Sequence, residues 1–301
     1  MFSFQTRRPA AVILVRVQMS LKTENIQLKT GRETPVKVIY LLGLGHSGTT
    51  LLGRLLNAHS QVVATGGTKN IPLFLRGRKD CACGATQPAE CVFWSQVETA
   101  LGQQGLSLAS LDVGYDAKAL DGDSLRAYFK AVLAASGARV IVDTSRRRGY
   151  FSSLAKVEGV ELVPVHIFKD PRAQCASMRR KGRTIFPAIW NYRMRSRRVR
   201  ALGEAFPGMV HVSYEALCRD PRAQLGRIMQ AAGLELEDTQ LTQWGETEVH
   251  ILGGNRQRRS RSSEICLDES WQQRLRGWEK TLISAVNRSE HRRNLAAAGI
   301  R

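Results

Sequence analysis

Residues 36–42, Val-Lys-Val-Ile-Tyr-Leu-Leu, form a β-branched apolar run broken by one lysine, the pattern of a parallel strand covered on both faces. The run stops at Gly43. Leu51, Leu52, Leu55 and Leu56 then recur at helical spacing, which predicts a helix over 49–57. Apolar runs at 139–142, 161–168 and 209–213 predict three more strands, and helices are predicted over 124–135, 173–180, 188–206 and 222–232. Strands alternating with helices give an α/β fold: a P-loop-like parallel sheet flanked by helices. Ligands bind such sheets beyond the carboxyl ends of the strands. His46, Asp143, Lys169 and Arg172 all follow directly from strand ends and are the first candidates for chemistry. Two long polar stretches rich in Gly and Arg, 66–91 and 246–263, interrupt the alternation, and stretches of that length are commonly functional or disordered. The chain is expected to divide into a flexible leader at 1–34, a single α/β domain at 35–285 and a C-terminal tail at 286–301.

Composition adds a preference for anions. Among 301 residues, Lys+Arg number 45 against 26 Asp+Glu, a net charge of +19. A field of that sign favours a nucleotide, nucleic acid, acidic glycan or membrane surface, although a solvated basic face explains charge equally well. The arginines cluster at 146–148, 179–180, 195–200 and 256–261, and Arg is the residue of bidentate phosphate or sulfate contact. Six unevenly spaced cysteines do not form the framework of a small secreted scaffold. No apolar run is long enough to span a bilayer, and the short run at 10–15, interrupted by Arg16, is a poor signal peptide. The expectation is a cytoplasmic protein, starting at Met1 or Met19, with peripheral membrane contact left open.

The loop after the first predicted strand carries the most specific chemistry. Gly43-x-x-x-x-Gly48-Thr49-Thr50 has phosphate-loop spacing with a strand before and a helix after. Its glycines let the backbone approach an anion, and the helix N-terminus adds partial positive charge. A nucleotide-triphosphate loop places Lys where Thr49 stands, to hold the β- and γ-phosphates. The series His46-Ser47-Gly48-Thr49-Thr50-Leu51-Leu52 instead resembles the 5′-phosphosulfate loop of sulfotransferases, in the bacterial branch that carries His at the basic position. Lys169-Asp170-Pro171-Arg172 followed by Ser177 resembles the 3′-phosphate motif of the same family, with Lys for the first Arg and Ser eight residues on. Lys binds phosphate as a point charge and loses the bidentate fork, for which Arg172 or the Arg179-Arg180 pair is expected to compensate. The Pro of the motif also suits a first helical turn.

Further segments extend the resemblance. His250-Ile251-Leu252-Gly253-Gly254-Asn255-Arg256-Gln257-Arg258 is similar to a Gly-Asn-x-x-Arg loop that closes over the nucleotide, and Tyr214-Glu215-Ala216-Leu217 to a packing element. Asp143-Thr144-Ser145-Arg146 is similar to an Asp-x-Ser-Lys element, its Asp either accepting the acceptor's proton or capping a helix near Arg147. Residues 271–278 are expected to be an amphipathic helix with Trp271 and Trp278 in the core. Cys81-Ala82-Cys83-Gly84 with Cys91-Val92-Phe93-Trp94 also matches this branch. Zinc would need a fourth ligand that the sequence does not show, so a local disulfide or reduced thiols are expected and no metal. One departure concerns catalysis: Gly67 stands where the family's general-base Glu is found, leaving His46 and Asp143 as candidates.

The resemblance implies transfer of a sulfuryl group from 3′-phosphoadenosine 5′-phosphosulfate (PAPS) to a hydroxyl or amine of a small molecule, lipid or glycan, an acceptor that the basic charge would suit if anionic. It implies donor contacts from His46, Ser47, Gly48, Thr49, Thr50, Lys169, Arg172, Ser177, Asn255, Arg256 and Arg258. A nucleotide or small-molecule kinase would explain the first loop but not Thr49 or the spacing of Lys169 and Ser177. A basic nucleic-acid-binding protein would explain the charge but not its placement at strand ends, and no nucleic-acid module is visible.

Overall fold

Strand β1 (Val36–Leu42) lies at the centre of a five-stranded parallel sheet of order β2-β3-β1-β4-β5. The computed structural model describes residues 34–111, 113 and 121–300; the expected leader lies outside them. The other strands are β2 (Val62–Gly66), β3 (Val140–Asp143), β4 (Val160–Phe168) and β5 (Val210–Ser213). β1 pairs with β3, Tyr40 opposite Asp143, and with β4, Leu42 opposite His166. The ends of the three central strands therefore lie side by side, which brings the loops after them together. The expected α/β sheet flanked by helices is the fold observed, with one strand that the periodicity does not show. β2 is an edge strand of five residues, Val-Val-Ala-Thr-Gly, whose apolar run is only three residues long and passes straight into Thr-Gly.

Successive residues of β1 serve opposite cores, as strand geometry requires. Val36, Val38, Tyr40 and Leu42 pack on one face against Trp94 of α3 (Val92–Gly102), Tyr128 and Phe129 of α4 (Gly122–Ser136) and Phe151 of α5 (Arg148–Leu154). Ile39 and Leu41 pack on the other against the leucines of α1 (Thr49–Asn57) and Leu225, Ile228 and Met229 of α9 (Pro221–Ala232). A short α2 (Ile71–Leu75) follows β2, α8 (Tyr214–Arg219) follows β5, and α10 (Thr239–Thr242) precedes the late loop.

A third cluster joins Cys175 of α6 (Pro171–Arg179), Ala188 and Ile189 of α7 (Ile185–Ala205) and Ile283 of α12 (Gly277–Ala297). The boundary expected at 285 thus falls inside α12, whose far half buries Asn287, Glu290 and Asn294. Glu279 and Glu290 are almost fully buried and meet Arg179 and Arg200 respectively, so part of the arginine clustering serves helix packing. Residues 271–278 do not form one helix. α11 (Trp271–Arg274) ends at an extended Leu275, which enters the core, while Trp278 is 51% exposed. Among the described residues, no helix is long and apolar enough to cross a membrane.

Candidate active site

Two glycines shape the loop between β1 and α1. A Cβ on Gly43 would lie 2.5 Å from the Ile167 carbonyl oxygen, and one on Gly48 (φ 102°) 2.6 Å from the Tyr214 ring. Ser47 turns inward, its hydroxyl donating to the Leu44 carbonyl at 2.9 Å. α1 starts with Gly48 as its N-cap and no side-chain cap, so its first N–H groups face the open end of the loop with the helix dipole behind them. His46 (φ 71°) and Arg146 (φ 58°) are the only non-glycine residues of positive φ among the described ones. Both line the same cavity; backbone held this way is characteristic of functional sites.

The loop after β4 supplies the opposite wall. Asp170 caps α6, accepting from the Arg172 N–H at 2.7 Å, and also takes the Arg172 guanidinium at 2.6 Å. Arg172 lies over Trp271, 4.2 Å from the ring, and does not line the cavity. Lys169 does: it is 5% exposed, its ammonium 4.2 Å from the Tyr214 ring centre, and burial lowers its pKa. Ser177 and Arg180 line the cavity beside it, so Arg180 rather than Arg172 accompanies the lysine.

The cavity has a volume of about 710 Å³. Of the residues singled out in the sequence, it gathers His46, Gly48, Thr49, Thr50, Lys169, Ser177 and Asn255. Ser47, Arg172, Arg256, Arg258 and Asp143 are not among its lining residues. Arg258 pairs with Asp80 at 2.5 Å, and Asn255 caps the turn at Arg256–Arg259. Asp143 is wholly buried: it accepts from the Thr68 hydroxyl at 2.5 Å and the Ser145 N–H at 2.5 Å. Burial pushes its carboxyl pKa up, against the pull of those hydrogen bonds. It caps the turn at Ser145, not the helix after Arg147, and ties the β2 and β3 loops together. Proton acceptance by Asp143 from a bound substrate is not what this geometry offers.

Lining residues that sequence reasoning passed over include Lys69, Asn70 and Lys79, while Arg146, Lys181 and Tyr214, noted in the sequence without a donor contact, line the cavity too. Lys69, Lys79, Arg146, Lys169, Arg180 and Lys181 are six cations facing the lone carboxylate of Asp268. Lys69 donates to the Ser145 carbonyl at 2.7 Å. Burial, and after it the charge of Arg146, holds its pKa down at about 8. A Cβ on Gly67 would sit 3.1 Å from Ser145 Cα, so a side chain there would press on the turn that Asp143 holds. The pKa of His46 is lowered, first by burial and then by Arg146, Lys181, Arg180 and Lys169, which leaves a neutral imidazole at neutral pH. His46, Gly45 and Lys181 also line a second cavity of about 380 Å³, bounded by α6 and α7 and carrying Arg183 and Arg195.

The cysteines are free thiols, one of the two states expected, and the fold adds a residue to their cluster. His250, remote in sequence, stands beside Cys81, Cys83 and Cys91, with Cys91 Sγ 3.2 Å from its Nδ1. The fourth ligand atom that the sequence did not reveal is therefore present.

No curated protein sequence matches the chain significantly. Among solved structures, the sulfotransferase domain from the olefin synthase of Synechococcus PCC 7002 is similar at 18% identity and TM-score 0.54, covering 86% of this chain and 96% of that one. The sulfotransferase domain from the curacin biosynthetic pathway is similar at 13% identity and TM-score 0.52, covering 84% and 97%. These likenesses are of fold. The profile described as the sulfotransferase family matches residues 38–238, more than half of the chain and all five strands except the first two residues of β1. The chain belongs to the sulfotransferase family.

Proposed function

We propose that the protein transfers a sulfuryl group from PAPS to a hydroxyl or amine of an anionic acceptor. The observation that carries this reading is the convergence of two anion-binding loops on one cationic cavity. The N–H groups at Gly48, Thr49 and Thr50, with the hydroxyls of both threonines, suit a 5′-phosphosulfate. Lys169, Ser177 and Arg180 suit a 3′-phosphate, and Gly253, Gly254 and Asn255 cover the nucleotide between them. A triphosphate finds no lysine in the first loop, since Thr49 occupies that place.

When bound, the donor offers a sulfur that the acceptor attacks as the bond to the bridging 5′-phosphate oxygen breaks. The chain must hold that phosphate and remove a proton from the acceptor. Lys69 carries the cationic part of the first task. His46 is placed for the second: it is neutral and lines both cavities, so an acceptor in the smaller one meets the donor at its imidazole. Arg183, Arg195 and Lys181 in the smaller cavity favour an acceptor with a negative group.

Adenosine 3′,5′-bisphosphate should raise the melting temperature of the protein far more than AMP or magnesium ATP at equal concentration. Equal stabilisation by AMP would remove the second phosphate site, and preference for magnesium ATP would favour a kinase.

A further inference from the structure

We propose that Cys81, Cys83, Cys91 and His250 form a structural zinc site that fastens the segment after β2 to the late loop covering the active cavity. One ligand atom from each of the four residues lies within 4.8 Å of all the others. Four of the separations are Cys83 Sγ to Cys91 Sγ at 3.6 Å, Cys81 Sγ to Cys91 Sγ at 3.9 Å, and Cys81 and Cys91 Sγ to His250 Nδ1 at 3.8 and 3.2 Å. Zn–S bonds of about 2.3 Å and Zn–N bonds of about 2.0 Å, arranged tetrahedrally, put neighbouring ligand atoms about 3.5–3.8 Å apart. Cys91 is thus spaced from its three partners close to the edges of a metal tetrahedron. A sulfur–sulfur bond needs about 2.05 Å. Three sulfurs and an imidazole in this geometry select zinc over the oxygen-seeking cations.

The surroundings of His250 match those of a ligand. Its other ring nitrogen, Nε2, lies 3.1 Å from the Glu248 carboxylate, the outer partner that fixes the tautomer of a metal-bound histidine. Phe93 stacks on the ring at 5.1 Å and 11°, and Trp94 Nε1 donates to the His250 carbonyl at 3.1 Å. Cys81 and Cys91 are buried while Cys83 is exposed, which gives the metal a way in. All four positions of the tetrahedron are taken by the chain, so the metal holds structure and activates no water.

What it holds follows from the connections on either side. Ala82 N–H donates to the Ile251 carbonyl at 3.0 Å, and Leu252 N–H to the Thr65 carbonyl at 2.9 Å. Directly after them come Gly253, Gly254 and Asn255, which line the cavity. The metal therefore sits at the root of the covering loop, beside the buried Ile251 and Leu252.

The test is metal analysis of the full, untagged chain purified from zinc-supplemented cells. One zinc per chain is expected, with His250→Ala and Cys91→Ser losing it and Cys175→Ser keeping it. Because those losses would also follow from misfolding, cobalt exchange into the unaltered protein provides a second reading. Tetrahedral d–d bands with sulfur-to-cobalt charge transfer are expected, along with a shifted spectrum in His250→Cys. Glu248→Gln should lower zinc affinity about tenfold. Three freely titrating thiols without metal, a Cys83–Cys91 disulfide by mass, or an octahedral cobalt spectrum would each overturn the proposal. None of these readings involves the sulfuryl donor, so they stand or fall apart from the proposed function.

Discussion

Burial beside Arg146 keeps the Lys69 ammonium well below the range of a solvated lysine, at about 8. The sign of the consequence is fixed by which form binds an anion. Below pH 8 the cation is present; as pH rises through 8 it is lost. Affinity for adenosine 3′,5′-bisphosphate should therefore be flat near neutrality and weaken about tenfold above pH 8, the worth of one charged hydrogen bond. Calorimetric titration across that range checks this, and Lys69→Arg should keep its affinity to higher pH. A pH-independent wild type would take Lys69 out of the donor site. Nothing in the sequence marks Lys69. It follows Gly67 by two residues in a stretch without periodicity, and its chemistry arises from the loops that close on it. Asp143 is the opposite case: visible at a strand end, it is shown by the fold to be sealed under Thr68 and Ser145.

At the scale of the element, α1 is nine residues long, shorter than a helix that stands alone in water. Its leucines pack on the sheet, and Arg54, 1% exposed, secures its other side. That guanidinium donates to the carbonyls of Trp244, Gly245, Gln257 and Ser260 and lies 4.9 Å from the Trp244 ring. The helix that follows the glycine loop is thereby tied to the loop on the far side of the cavity. Arg54→Leu keeps the stem's apolar bulk but strands several buried carbonyls, a loss of about 3 kcal/mol. Urea unfolding measures this, and a change within about 0.5 kcal/mol would show that water replaces the guanidinium. The helix itself is legible from four leucines at helical spacing, because its period is local. Arg54 is not, because its partners are some 190 or more residues away.

At the scale of the molecule, a net charge of +19 meets a cavity walled by six cations and one carboxylate. Such a field speeds the encounter with an anionic donor, and salt screens it. The association rate of adenosine 3′,5′-bisphosphate should fall about tenfold between roughly 0.05 and 0.5 M salt, with a smaller change in dissociation. Stopped-flow binding reads this directly; a rate indifferent to salt would mean that the basic surface does not steer. Charge alone does not say which arginines face a ligand. Arg179, Arg200, Arg258 and Arg259 are engaged by Glu279, Glu290 and Asp80 within the fold. What the sequence by itself determined is whatever depends on near neighbours: the alternation of strands and helices, the glycine loop and the spacing of Lys169 and Ser177. Tertiary structure decided what depends on distant segments meeting. It turned Arg172 away toward Asp170, brought Lys69 and Arg146 into the cavity, buried Asp143, and set His250 beside three cysteines 159 to 169 residues away. Backbone periodicity is written in residues a few positions apart, whereas ligation, desolvation and ion pairing are properties of contacts that only chain closure creates.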